Sequence, residues 1–548
     1  MQLMPGAAAL GQVQVDYAQS VLENLGPPGR IVAALQYDDV PEDGYDLVAG
    51  YVDDLVHRMK ASGQSEEALA DVLLVAVRFD RTSSDAWNEG VFRTLLLPAL
   101  RAFAACDMWW AVQRLCRLIG FITFHGARSD AYVQAILSGI EDALADELAR
   151  WPRPETSSGR LKTRDGLSVA IVTDFRLADL SGIRILINFL EAYQRRFGQR
   201  DRIRLVIEQS ALTDASAPHR ARLEAAGVSV VPYDRAAADR RTPIGFGNLA
   251  SVCAGLDLDV VVLYCSYSFA LLAAWCRLAP LQAFWSVSFD AAPSRQFDLL
   301  LSSSAAADGS RSKTIAGRRW LVIPPIYEIA LHDPAPVRRD GPYAAFGRPL
   351  FATVGGIQKI DNDDFMTMLA RLLDALPGAA FLWTSAVAYP QFDERARRFG
   401  IVERCHNVGF VDIDLFAPQI DVHLDGFPYG TAVAAMRMLA FGCPTVSMAV
   451  KESLFGYIYN PLLTDGLGSP ERLAGARDLL LPPDATPRLL VAESIDQYVA
   501  LAVRVARDPD YRAACAAAYR TLFADLLGDG GYAAEAWRAA LTAGSGPA

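Results

Sequence analysis

Two hydrophobic patterns divide the chain near residue 155. Up to that point apolar residues recur at i, i+3, i+4 and i+7, as in QSEEALADVLLVAVRF and DAYVQAILSGIEDALADELARW, and β-branched runs are rare. This period is typical of amphipathic helices, so residues 1–155 are predicted to form an all-helical domain of stacked helix pairs. Its aromatic cluster Met108, Trp109 and Trp110 is interpreted as core.

Beyond the segment WPRPETSSGRLKTRDG (151–166), which has the composition of a linker, short apolar runs alternate with helix-like segments. Such alternation predicts a parallel, doubly wound sheet. The pattern fills residues 165–330, stops at the connector HDPAPVRRDGPYAAFGRP and begins again over residues 345–548, ending in two or three amphipathic helices after Ser494. The predicted fold class is therefore α/β, with two Rossmann-like halves behind a helical domain. Open α/β sheets bind ligands at their carboxyl edge, which predicts a cleft between the halves.

Composition excludes several classes of function. The 548 residues are 52% hydrophobic and carry a net charge of −11, with a pI near 5.2, which argues against a nucleic-acid partner. The eight cysteines form no CxxC pair and have no His at ligand spacing, so neither structural zinc nor a disulfide framework is expected. The first residues lack the features of a signal peptide, and no window reaches the roughly 18 to 20 apolar residues of a membrane span. A cytoplasmic protein is expected.

The stretch Asp421–Met448, DVHLDGFPYGTAVAAMRMLAFGCPTVSM, predicts a strand, a glycine-rich loop, a helix from Gly430 or Thr431, and another strand. In such a unit the helix N-terminus lies at the carboxyl edge of the sheet, where backbone N–H groups and the helix dipole favour a phosphate. A nucleotide diphosphate is the first ligand to consider. The alternative is an ordinary crossover with a glycine turn.

A lysine lies in the loop after the first strand of the second half, GGIQKID (Gly355–Asp361). A lysine on a strand-to-helix loop can reach a phosphate as a point charge. Lys359 and Gly430 are distant in sequence, but both loops open on the same edge of a doubly wound sheet. They are therefore predicted to converge on one diphosphate; the alternative is a solvated lysine near a helix start.

Three segments together resemble family 41 of the glycosyltransferases, which contains the O-GlcNAc transferases and the bacterial cytoplasmic protein N-glucosyltransferases. They are TVGGIQKIDNDDF, then IDVHLDGFPYGTAVAAMRMLAFGCPTVSM, and RLAPLQAFW (Arg277–Trp285) with Asp298 closing its segment. The resemblance covers roughly residues 165–545. It implies a GT-B enzyme that moves a sugar from UDP-glucose or UDP-GlcNAc to a protein side chain, with inversion and without a metal or other cofactor. The protein acceptor would dock partly on the helical domain.

The resemblance also implies roles for particular residues. Lys359 and the backbone N–H groups at Gly430, Thr431 and Ala432 would hold the donor diphosphate and offset the charge of the leaving nucleotide. Further candidates for binding the donor lie near Lys359 and Gly430, at or after the ends of predicted strands. These candidates are Gly356, Thr384, Ser385, Phe410, Val411, Asp425, Phe427, Tyr429 and Arg437.

The chain also departs from the family pattern. Arg437 stands where the family's helix carries Asp, and Ala178 and Ser288 stand where the acceptor half carries histidines. Asp174 and Asp179, in the first loop of the acceptor half, are therefore the candidates for orienting or deprotonating the acceptor. Asp174 alternatively caps a helix or braces its loop.

Two other histidines and two other functions complete the hypotheses. His423 is interpreted as a buried core residue, and His406, at a strand start, as a less favoured ligand contact. A nucleotide-sugar epimerase of the same fold and a partner-binding GT-B protein without catalysis remain alternatives to a hexosyltransferase.

Overall fold

A computed structural model describes most of the chain. The described residues are 12–34, 45–76, 85–126, 130–151, 166–177, 181–234, 246–286, 290–303, 312–323, 326, 332, 337–338, 340–386, 388–427, 430, 433–448, 490–492, 494–526 and 531–543.

The described part of the N-terminal region is all-helical, as its apolar period predicts. Met108 and Trp109 are buried in its core, whereas Trp110 is exposed, so the interpretation of that cluster holds for two of its three members. A π-helical turn, Phe92–Leu96, joins the fifth helix to the sixth. The helices are α1 (Gln12–Asn24), α2 (Pro27–Ala34), α3 (Tyr45–Ala61), α4 (Glu66–Ala76), α5 (Asp85–Val91), α6 (Leu97–Ala105), α7 (Trp109–Gly126) and α8 (Asp130–Leu148).

The next region contains a sheet whose described strands lie in the order β3-β2-β1-β4-β5-β6-β8-β7. All neighbours pair in parallel except β7 and β8. The strands are β1 (Ser168–Thr173), β2 (Arg202–Glu208), β3 (Ser229–Tyr233), β4 (Val260–Leu263), β5 (Leu281–Ser286), β6 (Leu299–Ser302), β7 (Ser312–Ile315) and β8 (Arg318–Val322). The main helices between them are α9 (Ser181–Phe197), α10 (Ala217–Ala225), α11 (Phe246–Gly255) and α12 (Tyr267–Trp275).

A second parallel sheet follows, with its described strands in the order β11-β10-β9-β12-β13-β14. Counted within its own half, this is the order 3-2-1-4-5-6 that the first six strands also show, the order of a Rossmann sheet. Its strands are β9 (Leu350–Thr353), β10 (Ala380–Trp383), β11 (Cys405–Asn407), β12 (Val422–Leu424), β13 (Thr445–Met448) and β14 (Val491–Ala492). Its helices are α13 (Asp363–Ala375), α14 (Pro390–Arg398), α15 (Ile413–Phe416) and α16 (Val433–Ala440).

The helical domain and the first sheet share one hydrophobic core. Residues of β1 alternate between the faces of the sheet: Ala170 and Val172 join the core formed with the helical domain, while Val169 and Ile171 join the core on the opposite face. Because both faces are covered, every residue of β1 is buried, as expected for a central parallel strand.

Three helices end the described chain, α17 (Ile495–Arg507), α18 (Pro509–Leu526) and α19 (Gly531–Ala543). The first packs against α13 in the second half, but α19 packs against α9 in the first. Trp537 is buried there, and Arg538 Nε lies 2.8 Å from Asp201 Oδ2. The predicted domain 345–548 is therefore wrong for α19, whose apolar face completes the core of the first half.

Candidate functional site

At the carboxyl edge of the second sheet, hydrogen bonds join the end of β9 to the ends of β12 and β10. Thr353 Oγ1, at the end of β9, donates to Leu424 O at 2.6 Å. Gly355 N donates to Thr384 Oγ1 at 3.2 Å, which links the loop after β9 to the end of β10. The ends of three adjacent strands are thereby fixed relative to one another.

Lys359 lies against the loop that precedes α16, as its sequence position predicts. Its Nζ donates to Gly430 O at 2.5 Å, across 71 residues of sequence. Burial lowers the pKa of the Lys359 ammonium to about 8, and the charge of Asp425 opposes that shift. The structure thus brings Lys359, Asp425 and Gly430 together at one edge of the sheet.

Close packing holds the lysine loop in place. A Cβ added to Gly426 would lie 2.8 Å from Lys359 O and 2.9 Å from Lys359 Cβ, so only glycine permits this approach. Asn362 caps α13 through Phe365 N at 2.9 Å and donates from Nδ2 to Phe427 O at 2.8 Å. These contacts fix the position of the Lys359 backbone.

The other half of the phosphate prediction concerns α16, which ends as predicted. Gly442 has a φ of 75°, and its N donates to Leu439 O at 2.8 Å, while Cys443 N donates to Met438 O at 3.1 Å. A glycine in the left-handed region commonly terminates a helix in this way. Thr431 and Ala432, which precede α16, lie outside the described residues, as does Tyr429.

Four of the predicted donor-binding residues, Thr384, Ser385, Phe410 and Val411, follow β10 and β11 along the same edge. Ser385 N donates to Asn407 Oδ1 at 3.2 Å, and Gly409 N donates to the same oxygen at 3.0 Å. Phe410, in the loop after β11, is 91% exposed, whereas Val411 packs against the core. Asn407 joins the loops after β10 and β11 and was not predicted from the sequence. Its position at the end of a strand could have indicated it.

Two other predicted contacts have buried side chains. Phe427 packs against Phe365 and Tyr498, with ring centroids 5.4 and 5.6 Å apart. Asp425 is fully buried, and its carbonyl accepts from Tyr498 Oη at 2.9 Å. Gly356 begins the turn that carries Lys359, and its carbonyl accepts from Lys359 N at 3.0 Å. Their predicted contacts with a donor stay predictions.

Arg437 is paired with an acid on a neighbouring helix. Its Nη2 lies 2.5 Å from Asp414 Oδ1, on α15. Arg437 is in the last turn of α16, whereas Gly430 precedes the helix. Arg437, which stands where the family pattern has Asp, is therefore paired with an acidic residue of the same half.

At the carboxyl edge of the first sheet, Asp174 bridges two strand ends. One carboxylate oxygen accepts from Ser266 N at 2.8 Å and the other from Ser266 Oγ, at the N-cap of α12. Burial raises the pKa of Asp174, and both Ser266 bonds and the charge of Arg117 oppose that shift. Asp174 therefore braces its loop, which is the alternative to a catalytic role for this residue. Asp179 lies outside the described residues.

A second acidic side chain at this edge was missed. Asp290 is fully buried, forms an ion pair with Lys313 Nζ and accepts from Ser302 Oγ at 2.9 Å. Burial raises the pKa of the Asp290 carboxyl, and the charge of Lys313 opposes the rise. A signal existed, because this chain has only five lysines among 52 cationic residues, and one of them follows the apolar strands of this half.

Neither of the two histidines considered has the surroundings of a base. His423 is fully buried in β12, and burial lowers its pKa to about 3, so it is neutral, as a core residue would be. His406 is half-buried in β11 with its ring 4.5 Å from that of Phe346, and burial lowers its pKa as well.

All eight cysteines are buried and unbridged. Across the described ranges, no group of three His, Cys, Asp or Glu side chains is arranged to hold a metal ion. The helices within those ranges include none that is long and apolar enough to cross a membrane.

Comparison with solved structures shows the fold. A mutant of the O-GlcNAc transferase of Thermobaculum terrenum aligns with 98% of this chain and 99% of its own, at 17% identity and a TM-score of 0.60. The structure of Anabaena HepE in complex with UDP and glucose covers 66% of this chain and 96% of its own at 11% identity, with a TM-score of 0.46. No protein-family model and no curated protein matches the chain. The predicted GT-B fold behind a helical domain is confirmed.

Proposed function

We propose that this chain is a glycosyltransferase that moves a hexose from a nucleotide sugar to an acceptor. The observation that carries the proposal is the convergence of Lys359 and Gly430 at the carboxyl edge of the second sheet. That edge is where open α/β sheets bind nucleotides. A half-buried ammonium beside the start of a helix is complementary to a diphosphate.

The chemistry follows from the charge that develops on the leaving group. As the bond between the anomeric carbon and the diphosphate oxygen breaks, negative charge grows on the nucleotide. Lys359, partly desolvated and fixed by its loop, stabilises that charge together with the backbone N–H groups at the start of α16. A lysine and a helix terminus supply this stabilisation without a metal ion, and we propose that the reaction proceeds with inversion.

We propose UDP-glucose or UDP-GlcNAc as the donor. Thr384, Ser385 and Phe410 follow β10 and β11, beside the lysine loop, where a base and ribose would extend from the diphosphate. The similarity in fold to a protein named as an O-GlcNAc transferase agrees with a UDP sugar. The resemblance of the lysine and glycine-loop segments to family 41 supports the same class of donor.

We propose a protein side chain as the acceptor, with the helical domain forming part of its docking surface. Support comes from the shared core: the helical domain is packed directly on the acceptor half, so it can present an acceptor to the cleft with a fixed geometry. The unbridged cysteines favour a reducing compartment such as the cytoplasm.

The test is nucleotide release from a panel of donors, UDP-glucose, UDP-GlcNAc, UDP-galactose and GDP-mannose, with and without unfolded casein as acceptor. Lys359→Ala should lower transfer by about 100-fold or more, since it removes a charge that acts on the leaving group. Lys60→Ala is the matched control, because Lys60 Nζ also donates to a backbone carbonyl, Cys106 O at 2.5 Å, but in the helical domain.

The outcomes separate the alternatives. Acceptor-dependent release that Lys359→Ala abolishes and Lys60→Ala retains supports the transferase. An epimerase would convert a UDP sugar without acceptor-dependent transfer. If calorimetry shows that none of the donors in the panel binds, both enzymatic functions are overturned and the partner-binding alternative is left.

A further inference from the structure

Asp290 has one oxygen that is satisfied and one that is not. Oδ2 accepts from Ser302 Oγ at 2.9 Å and is paired with Lys313 Nζ. Oδ1 is buried and has no hydrogen-bond partner among the described residues. Such an atom costs free energy unless something else supplies a donor, so the arrangement points to a ligand with an O–H or N–H group.

The surrounding groups lie at the carboxyl edge of the first sheet. Ser286 ends β5 and Ser302 ends β6, and Lys313 in β7 is opposite Trp320 in the antiparallel pair with β8. Tyr267 Oη lies 3.2 Å from Ser286 Oγ, which continues the polar strip toward α12. Lys313 retains 11% exposure, so the ion pair lies just beneath the surface.

The helical domain holds the segment that carries Asp290. Gln134 Oε1 accepts from Ala292 N at 2.7 Å, and Gln134 Nε2 donates to Ala292 O at 3.2 Å. Glu141 is buried and accepts from Ser294 Oγ at 2.5 Å and from Arg295 N at 3.0 Å. Four hydrogen bonds from α8 therefore fix the segment just after Asp290.

Asp174 differs from Asp290 in the one respect that matters for taking up a proton. Both of its oxygens already accept hydrogen bonds from Ser266. Asp290 Oδ1 has no hydrogen-bond partner among the described residues, while Lys313 and Ser302 bond to Oδ2 and the Ser286 hydroxyl also favours the ionised carboxylate.

We propose that Asp290 is the proton acceptor of the transfer reaction, receiving the proton of the acceptor's hydroxyl or amide on Oδ1; this rests on the proposed function. The acceptor heteroatom forms a bond to the anomeric carbon, and the bond from that carbon to the diphosphate breaks. The electron pair of the broken bond leaves with the nucleotide, whose charge Lys359 stabilises. The proton passes to Asp290, and the charge of Lys313 favours the ionised form of that carboxylate beforehand.

The test compares Asp290→Asn with Asp201→Asn, using the donor of the panel that turns over fastest and casein or water as acceptor. Asp201 is the matched control because it is also buried and ion-paired in the first half, to Arg538, but lies before β2 at the opposite edge of the sheet. Asp290→Asn should lower kcat about 100-fold or more while the Kd for UDP stays within about twofold. Asp201→Asn should lower the melting temperature but keep most of kcat.

The pH profile and a rescue experiment distinguish catalysis from structure. The wild-type rate should fall toward low pH as the carboxylate takes up a proton, and the residual rate of Asp290→Asn should lack that fall. Formate should partly restore Asp290→Ala. If Asp290→Asn keeps a third of the wild-type rate, or if Asp174→Asn instead loses the acid limb, the assignment of Asp290 is overturned and the transferase stands. If the wild type releases no nucleotide, both proposals fall.

Discussion

At the scale of single residues, the environment of Lys359 sets its charge. Desolvation favours the neutral amine, and Asp425 favours the ammonium; desolvation dominates, and the pKa is lowered to about 8. A diphosphate placed beside the side chain adds negative charge and must raise that pKa. If the proposed function is correct, binding of the nucleotide and protonation of Lys359 are therefore linked.

This linkage predicts how UDP binding depends on pH. Below about pH 8 the ammonium is already present and affinity is at its plateau, whereas above it each bound UDP must also draw a proton onto Lys359, so affinity falls by up to about tenfold per pH unit. Calorimetry in buffers of different ionisation enthalpy measures the proton uptake directly.

Lys359→Arg is the control for the pH experiment, because a guanidinium stays charged throughout this range. It should bind UDP without proton uptake, even where altered geometry weakens the affinity. Equal proton uptake by the wild type and Lys359→Arg would show that another group titrates.

At the scale of elements, one rule recurs where strands begin. An aspartate directly before a strand accepts a backbone N–H within one residue of the start of the neighbouring strand, which fixes the register of the pair. This occurs in both halves. The bonds are Leu167 N to Asp201 (2.7 Å), Ser168 N to Asp259 (2.8 Å), Gln282 N to Asp298 (2.8 Å) and Leu350 N to Asp421 (2.8 Å).

The rule predicts that Asp259→Ala destabilises the fold. The substitution leaves the buried Ser168 N without its acceptor, and an unsatisfied buried group costs about 1–3 kcal/mol. Urea denaturation followed by circular dichroism measures the free energy of unfolding. Asp374→Ala, on the exposed face of α13, should change it by less than about 0.5 kcal/mol. Equal effects of the two substitutions would contradict the rule.

Elements were predictable from sequence where local pattern decides them, and not where a distant partner does. The strands β1, β4, β9 and β10 could be predicted because each is a continuous apolar run in the sequence. By contrast, β7 reads SKTI and β14 has two residues, and each exists only because a neighbour supplies hydrogen bonds.

The site divides in the same way. The convergence of Lys359 and Gly430 follows from topology, since both lie after adjacent parallel strands. The pairing of Asp290 with Lys313 depends on an antiparallel turn that the pattern does not reveal, and the pairing of Arg437 with Asp414 depends on how α15 packs on α16.

At the scale of the whole molecule, packing does not follow chain order. The helical domain shares a core with the first sheet, and α19 crosses from the second half to cover the opposite face of that sheet. Trp537 packs edge-on against Phe189 and Tyr193, with ring centroids 5.4 and 5.2 Å away. The first half is thus enclosed on both faces by segments that lie outside it in sequence.

Trp537→Ala should consequently weaken the first half rather than the second. Removing a fully buried indole costs about 3–5 kcal/mol, and the cavity would adjoin α9 and β5. Hydrogen exchange measured by mass spectrometry should show lost protection in peptides from β1, α9 and β5, with β9 and β10 protected as before. Protection lost only within α17 and α18 would contradict the crossing.

The crossing of α19 also governs when the protein can finish folding during its synthesis. Asp201 and its partner Arg538 are 337 residues apart, so at about 5–20 residues per second the ribosome needs about 20–70 s to deliver the second after the first. For that interval Phe189 and Tyr193 of α9 and Trp285 of β5 lack their contacts with Trp537. Among the described elements, the half that is made first is therefore the one whose core is completed last.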